Sequence, residues 1–202
     1  MAFGRVASIL NALDDLNRRW EGQPHDFVMQ TSVKEKRKAL NGFVYRWTTP
    51  NQWVGLLDGW RQLQEGVSVP EKIARENSQD LRAGLIPILQ DVYTGAAEHP
   101  GYLLPDPSGP GACKRLAMWL RWMVRKDEID PGLWSEHLSP EGLWVPLDTH
   151  MFRIAKRLRL TRRKTADGEA ARRITNAFKK FSPQDPLRYD FAITRLGMGI
   201  DV

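Results

Sequence analysis

Residues 109–126 read GPGACKRLAMWLRWMVRK, and the fold class turns on them. Leu116, Trp119, Leu120 and Met123 stand at i, i+3, i+4 and i+7, which puts four apolar side chains on one face and predicts a helix over 112–126. The stretch before it, 99–112, carries His99-Pro100-Gly101 and then Pro105-Asp106-Pro107-Ser108-Gly109-Pro110-Gly111, so it reads as a loop. The helical period continues in both directions. Upstream, Val6, Ile9, Leu10, Leu13 and Leu16 give a first amphipathic helix ending by Gly22 and Pro24. Lys34 to Leu40 reads as a short charged helix stopped by Asn41-Gly42. Trp53, Leu56, Leu57, Trp60 and Leu63 mark another, entered by Thr49-Pro50. Helical stretches follow near 70–77 and 79–97, the second expected to kink or split at Pro87. Downstream, Pro131 to His137 reads as a short helix and Pro140 to Pro146 as a connector. Leu147, Met151, Ile154 and Leu158 share a face of the next helix, and Ala166 to Phe181 and Pro186 to Leu196 supply two more. The expectation is an all-α fold with no internal repeat and no strand pair.

A chain of 202 residues fits one helical domain, or two small lobes around one cleft. Its 42% hydrophobic and 27% charged content excludes a disordered chain. The single cysteine, Cys113, excludes a disulfide framework, a Cys-rich zinc site and a four-cysteine iron–sulfur cluster. No apolar run approaches the roughly 20 residues of a membrane span, so no membrane partner is expected. No basic-then-apolar leader opens the chain, which makes a bacterial-type cytoplasmic location the expectation. The first helix starts almost at Met1. The chain is therefore expected to lack an N-terminal element that relatives carry, or to have its start placed late. The net charge is +6, and all of it falls in one half: residues 1–100 hold 12 basic and 12 acidic side chains, residues 101–202 hold 18 and 12. The 99–112 loop is the expected boundary between a neutral scaffold lobe, 1–98, and a basic lobe, 99–202.

Candidate chemistry concentrates in the basic half. Lys114 opens the helix after the Gly-rich turn. Such a turn exposes backbone N–H groups that, with the helix dipole, favour a phosphate. The dipole disfavours a cation there, and a neutral amine is what a nucleophilic lysine needs. Positions 114, 121 and 125 share a side of that helix, so Lys114, Arg121 and Arg125 read as a basic stripe. The alternative is a solvated basic face after an ordinary loop. Pro146-Leu147-Asp148-Thr149-His150 is an N-cap signature. Asp148 is read either as that cap alone or as a carboxylate at the mouth of a cleft, placed to stabilise a developing cation or to take a proton. No second histidine has ligand spacing to His150, so no metal is expected. Residues 153–164 carry seven basic side chains in twelve positions and no acid, a density suited to phosphate contacts, against the alternative of a solvated face. Trp122 lies on the side of Lys114, where it either stacks on a base or packs against the other lobe.

These residues carry two resemblances. Leu147-Asp148-Thr149-His150, followed by Arg153, Arg157 and Leu158, resembles the "VDTH…R…R" segment of the helix-hairpin-helix DNA glycosylases of the endonuclease III superfamily. Gly109-Pro110-Gly111-Ala112-Cys113-Lys114 resembles their Gly-rich hairpin, with one residue more than G-x-G-x-K. Over nearly the whole chain, a second likeness is to the bacterial family filed as domain of unknown function 2400. It rests on Ala2-Phe3-Gly4-Arg5, Gly42-Phe43-Val44-Tyr45-Arg46, Pro105-Asp106-Pro107, Ala112-Cys113-Lys114-Arg115-Leu116, Leu120-Arg121-Trp122-Met123-Val124-Arg125, Pro146-Leu147-Asp148-Thr149-His150 and Tyr189-Asp190-Phe191-Ala192.

The second resemblance, whose pattern extends upstream of Ala2-Phe3-Gly4-Arg5, implies that the first helix or two are missing here, and the first implies a two-lobed helical fold and a monomer that needs no cofactor and binds double-stranded DNA at a damaged base. It further implies catalytic roles for Lys114 (Schiff-base nucleophile) and Asp148, DNA contacts at Gly109, Gly111, Arg115, Arg121, Arg125, Arg153 and Arg157, and a base pocket at Trp119 and Trp122. Lys114 and Asp148 are 34 positions apart, longer than in endonuclease III and more like the archaeal 8-oxoguanine glycosylases, which makes 8-oxoguanine the first expected target. The expected activity is base excision with AP lyase chemistry in the bacterial nucleoid. The alternatives are water activation by Asp148 alone, a non-catalytic DNA-binding protein of the same fold, and a helical protein-interaction module.

Overall fold

The computed structural model describes residues 4–198. Among them ten α-helices form: α1 (Val6–Arg19), α2 (Pro24–Gln30), α3 (Val33–Ala39), α4 (Pro50–Leu63), α5 (Val69–Asn77), α6 (Leu81–Gly95), α7 (Lys114–Val124), α8 (Thr149–Arg157), α9 (Gly168–Lys179) and α10 (Asp190–Met198), with 3-10 turns at Gly101–Leu103 and Pro140–Gly142. The only β pairings among the described residues are isolated bridges. The fold is all-α. Ala2 and Phe3 of the Ala2-Phe3-Gly4-Arg5 segment lie outside the described residues. No helix among the described residues is long and apolar enough to cross a membrane.

Local chemistry explains most boundaries. Ser32 and Glu35 close a capping box on α3, and Thr49 and Gln52 close another on α4 with Pro50 in its first turn. Two expectations need correction. Pro24 does not merely end α1; it opens a further helix, α2, where its fixed φ and missing N–H cost nothing. Residues 131–137 form turns rather than a helix, because Gly132 sits at φ 61 and its N–H donates to the Trp122 carbonyl at 2.9 Å. At Pro87, α6 runs on as one helix. No tight hairpin joins α6 to α7, since residues 96–113 lie between them.

The chain divides into two compact units, and the division is discontinuous rather than a single cut at 98/99. One unit comprises the residues up to Val69 with Pro87–Pro105; the other comprises Pro70–Ile86 with everything from Asp106. The segments of the first hold nine basic and nine acidic residues, those of the second 21 and 15, so the entire +6 belongs to the second unit.

In the first unit Leu16, Phe27, Leu40, Phe43, Trp53 and Val54 form the core. Phe43 meets Trp53 edge-on at 5.4 Å, and the Trp53 indole N–H donates to Thr48 Oγ1 at 3.0 Å. Gly55 lets α4 pass against the residue-98 backbone: a Cβ there would lie 1.9 Å from the Glu98 carbonyl oxygen. Lys36 is wholly buried; burial lowers its pKa, opposed by the nearby Asp58. On α1 the inward residues are Ala12 and Leu16, whereas Val6, Leu10 and Leu13, core-facing by spacing, are largely exposed. In the second unit Val145, Leu147, Met151 and Ala155 pack with Ala170, Ala171, Ile174 and Phe178, and α8 also packs on α10. The small alanines on α8 and α9 permit close approach.

Candidate functional site

The Lys114 ammonium nitrogen lies 3.3 Å from Asp148 Oδ2, across 34 positions of chain and wholly within the second unit. Both residues sit at helix N-termini, Lys114 as the first residue of α7 and Asp148 as the N-cap of α8. The two oxygens of Asp148 divide the work. Oδ1 accepts the Met151 N–H at 2.8 Å, and Oδ2 faces Lys114. The cap therefore orients the carboxylate toward the amine, and the capping and chemical readings of Asp148 are compatible. The Lys114 side chain is 39% exposed and that of Asp148 17%, so the pair is open to solvent from the lysine side. No side chain caps α7, whose N-cap Cys113 takes a left-handed conformation at φ 47. Its Sγ–H donates to the Asp106 carbonyl at 3.2 Å, and burial pushes the thiol pKa up.

The turn that delivers Lys114 is held from its carbonyl side. Arg82 donates from Nε to the Pro107 carbonyl at 3.0 Å and from Nη2 to those of Gly109 and Gly111 at 2.9 Å each. Its guanidinium also lies over the Trp144 ring, 4.9 Å from the centroid. From the other side, the Gly168 N–H donates to the Pro110 carbonyl at 2.8 Å and Gly111 bridges to Asp167. A side chain at 168 would crowd this clamp, its Cβ falling 2.9 Å from Arg82 Nη1 and 3.0 Å from the Gly111 oxygen. Asp167 caps α9 through Ala170 and accepts from Arg163 and Thr165 (2.7 Å), which together hold its carboxyl well below the usual range. The Gly109–Gly111 turn is thus a strut pinned through its backbone carbonyls by Arg82 and by Gly168 at the start of α9. Sequence reading missed Arg82: 25–29 positions separate it from its carbonyl partners, and no periodicity links them.

Arg121 and Arg125 require correction. Each side chain is about one-tenth exposed or less, so neither lies on a solvated basic stripe. Arg121 donates to Asp130 at 3.0 Å and to Asp190 at 2.6 Å. Arg125 pairs with Asp127, Asp130 and, at 3.0 Å, Asp185. The two arginines join the C-terminal half of α7 to the 127–130 turn, the 185 turn and the start of α10. They are internal ionic struts. Asp190 is the strained member: burial pushes its carboxyl up to about 6, Arg121 opposes the rise, and the Asp148 carboxylate adds to it. Asp190 Oδ1 and Asp130 Oδ1 are buried without a hydrogen-bond partner among the described residues.

The other expected residues lie on α7 and α8. Arg153 and Arg157 are exposed on α8, and Arg153 approaches His150 Nδ1 at 3.4 Å. Arg115 follows Lys114 in the first turn of α7 and is half-buried. Trp119 packs edge-on against Trp134 at 5.0 Å, and Trp122 is 38% exposed on the opposite side of α7 from Leu116 and Leu120. Among the described residues no group of three His, Cys, Asp or Glu side chains is placed to hold a metal ion.

Comparison with curated proteins and with solved structures returns no match. A family model does match, over residues 1–199, and the chain belongs to that family, described as "Protein of unknown function (DUF2400)".

Proposed function

We propose that the protein is a DNA-binding base-excision glycosylase of the helix-hairpin-helix type, with AP lyase activity through Lys114. One observation carries the reading: the 3.3 Å approach of Lys114 Nζ to Asp148 Oδ2 at two helix N-termini. It joins a nucleophile to a proton acceptor, the pairing that covalent catalysis by lysine requires. The resemblance of Leu147-Asp148-Thr149-His150 with Arg153 and Arg157 to the glycosylase segment supports it, as does the +6 of the second unit.

In this mechanism the damaged nucleotide is flipped out of the duplex at a cost of a few kcal/mol. The Lys114 ammonium passes a proton to Asp148, and the free amine attacks C1′ of the sugar. The Nζ–C1′ bond forms as the bond from C1′ to the base breaks, and the base leaves with the electron pair and takes up a proton. That proton comes from Asp148, whose restored carboxylate then stabilises the cationic sugar. Ring opening leaves an iminium on Lys114, from which elimination cleaves the strand.

Borohydride added during incubation with a panel of lesion-bearing duplexes, 8-oxoguanine among them, tests the reading. A trapped covalent complex is expected with the unaltered chain and none with Lys114→Ala. Asp148→Asn is expected to lower base release by about 10²-fold or more while DNA affinity holds. No trapping and no base release from any duplex would leave a non-catalytic DNA-binding protein.

A further inference from the structure

A concave surface lined by neither Lys114 nor Asp148 lies between the turn after α8 and the C-terminal half of α9. This groove of about 510 Å³ is lined by Arg159, Arg162, Arg173, Lys180 and Phe181 together with Leu160, Thr161, Asn176 and Ala177, and no carboxylate lines it. Local geometry builds it. Arg159 adopts φ 59 just after the α8 C-cap, and its N–H and that of Leu160 turn back to the α8 carbonyls of Lys156 and Ala155 at 3.1 and 2.9 Å. That reversal aims the 159–162 segment across α9, where Arg173, Asn176, Ala177 and Lys180 recur at helical spacing. Of the four cations, Arg173 is paired with Glu169 at 2.7 Å. Arg159, Arg162 and Lys180 make no ion pair among the described residues. Phe181 at the groove's edge is 75% exposed, which no packing need explains.

Three unpaired cations in a groove free of carboxylates are an electrostatic site for successive phosphates. A bare phenyl ring beside them offers a stacking face for a base, and only an unpaired base presents its flat face to such a ring. We infer that the groove between residues 159–162 and α9 binds an unpaired nucleic-acid strand, with Arg159, Arg162 and Lys180 on its phosphates and Phe181 stacked on a base. This names a partner form beyond duplex DNA, and it rests on none of the Lys114 or Asp148 chemistry.

The test is fluorescence anisotropy on the full 202-residue chain with a labelled single-stranded oligonucleotide, the matching duplex, and anionic phosphatidylserine vesicles. For three phosphate contacts the log of the single-strand affinity should fall with log salt at a slope of about −2. Arg159→Ala combined with Arg162→Ala and Lys180→Ala should bring that slope toward zero and weaken binding at least tenfold. Phe181→Ala should weaken single-strand binding about tenfold with the slope retained, Phe181→Trp should restore it, and duplex binding should respond to neither. Unchanged thermal midpoints of these surface variants confirm that folding is intact. Unaltered single-strand affinity in the triple variant, or vesicle binding that alone responds to these substitutions, overturns the inference. Asp148→Asn should bind the single strand normally, and absence of trapping and base release in the unaltered chain with single-strand binding retained counts against the glycosylase reading alone.

Discussion

Arg125 shows how one side chain changes meaning between sequence and structure. By helical spacing it belongs with Lys114 on a basic face; in the fold it is 7% exposed and surrounded by Asp127, Asp130 and Asp185. Removing it takes a cation from three carboxylates and leaves the wholly buried Asp130 with Arg121 alone. Arg125→Met is therefore expected to cost about 3–5 kcal/mol, or a drop of roughly 10 °C in the thermal midpoint for a chain of this size. A normal midpoint combined with weakened DNA binding would instead restore Arg125 to the surface stripe. The acids that claim it lie up to 60 positions away, which is why a helical-wheel reading of α7 cannot see them. Asp148 is the opposite case: its N-cap role was legible from Pro146-Leu147-Asp148-Thr149, because capping is decided within one turn.

Among the elements, α7 owes its entry geometry to a residue outside it. The Gly109–Gly111 turn has no packed side chains of its own, and Arg82 on α6 satisfies three carbonyls on or beside it while lying over Trp144. Arg82→Met keeps the aliphatic stem against Trp144 and removes all three hydrogen bonds. It is expected to cost about 2 kcal/mol in urea unfolding and, if Lys114 is the nucleophile, to lower borohydride trapping severalfold with bulk DNA affinity unchanged. An unfolding midpoint equal to that of the unaltered chain would mean the turn holds its shape without the clamp. Most helices were readable at this scale from period, caps and proline, with errors where a local signal served another element. Pro24 starts α2, and Gly132 bends the chain back onto the end of α7.

For the whole molecule, charge and stability meet in the second unit, which carries the +6 together with the buried carboxylates of the α7–α10 network. Asp190 gives the fold a pH signature. Its folded pKa, about 6, lies above the usual carboxylate value of 3.8, so the native state holds a proton that the unfolded chain has released. Stability contributed by that proton is full below about pH 4 and is lost as pH rises through about 6, a fall of about 3 kcal/mol. Arg121, Arg125 and Asp148 face Asp190 and set the balance. Glu169 runs the other way: its bonds to Arg172 and Arg173 lower its carboxyl to about 2, so its contribution appears above the usual glutamate value and is lost in acid. Asp190→Asn should flatten the decline between about pH 4 and 6 in chemical denaturation; an unaltered slope would show that another group carries it.

The amino-acid sequence by itself determined the all-α class, most helix boundaries, the confinement of charge to one half and the candidate pair Lys114 and Asp148. The first three rest on period, capping and composition, which act within one or two turns of chain, whereas the pairing of Lys114 with Asp148 rests on the resemblance to the glycosylase segment. Only the tertiary structure decided which cations are free. Arg121 and Arg125 became buried struts, Arg82 became the clamp on the turn, and Arg159, Arg162 and Lys180 were left without an ion pair among the described residues in a groove beside Phe181. Whether a cation meets a carboxylate or solvent depends on partners brought together from distant parts of the chain, and Coulomb energy follows distance in space rather than position in sequence.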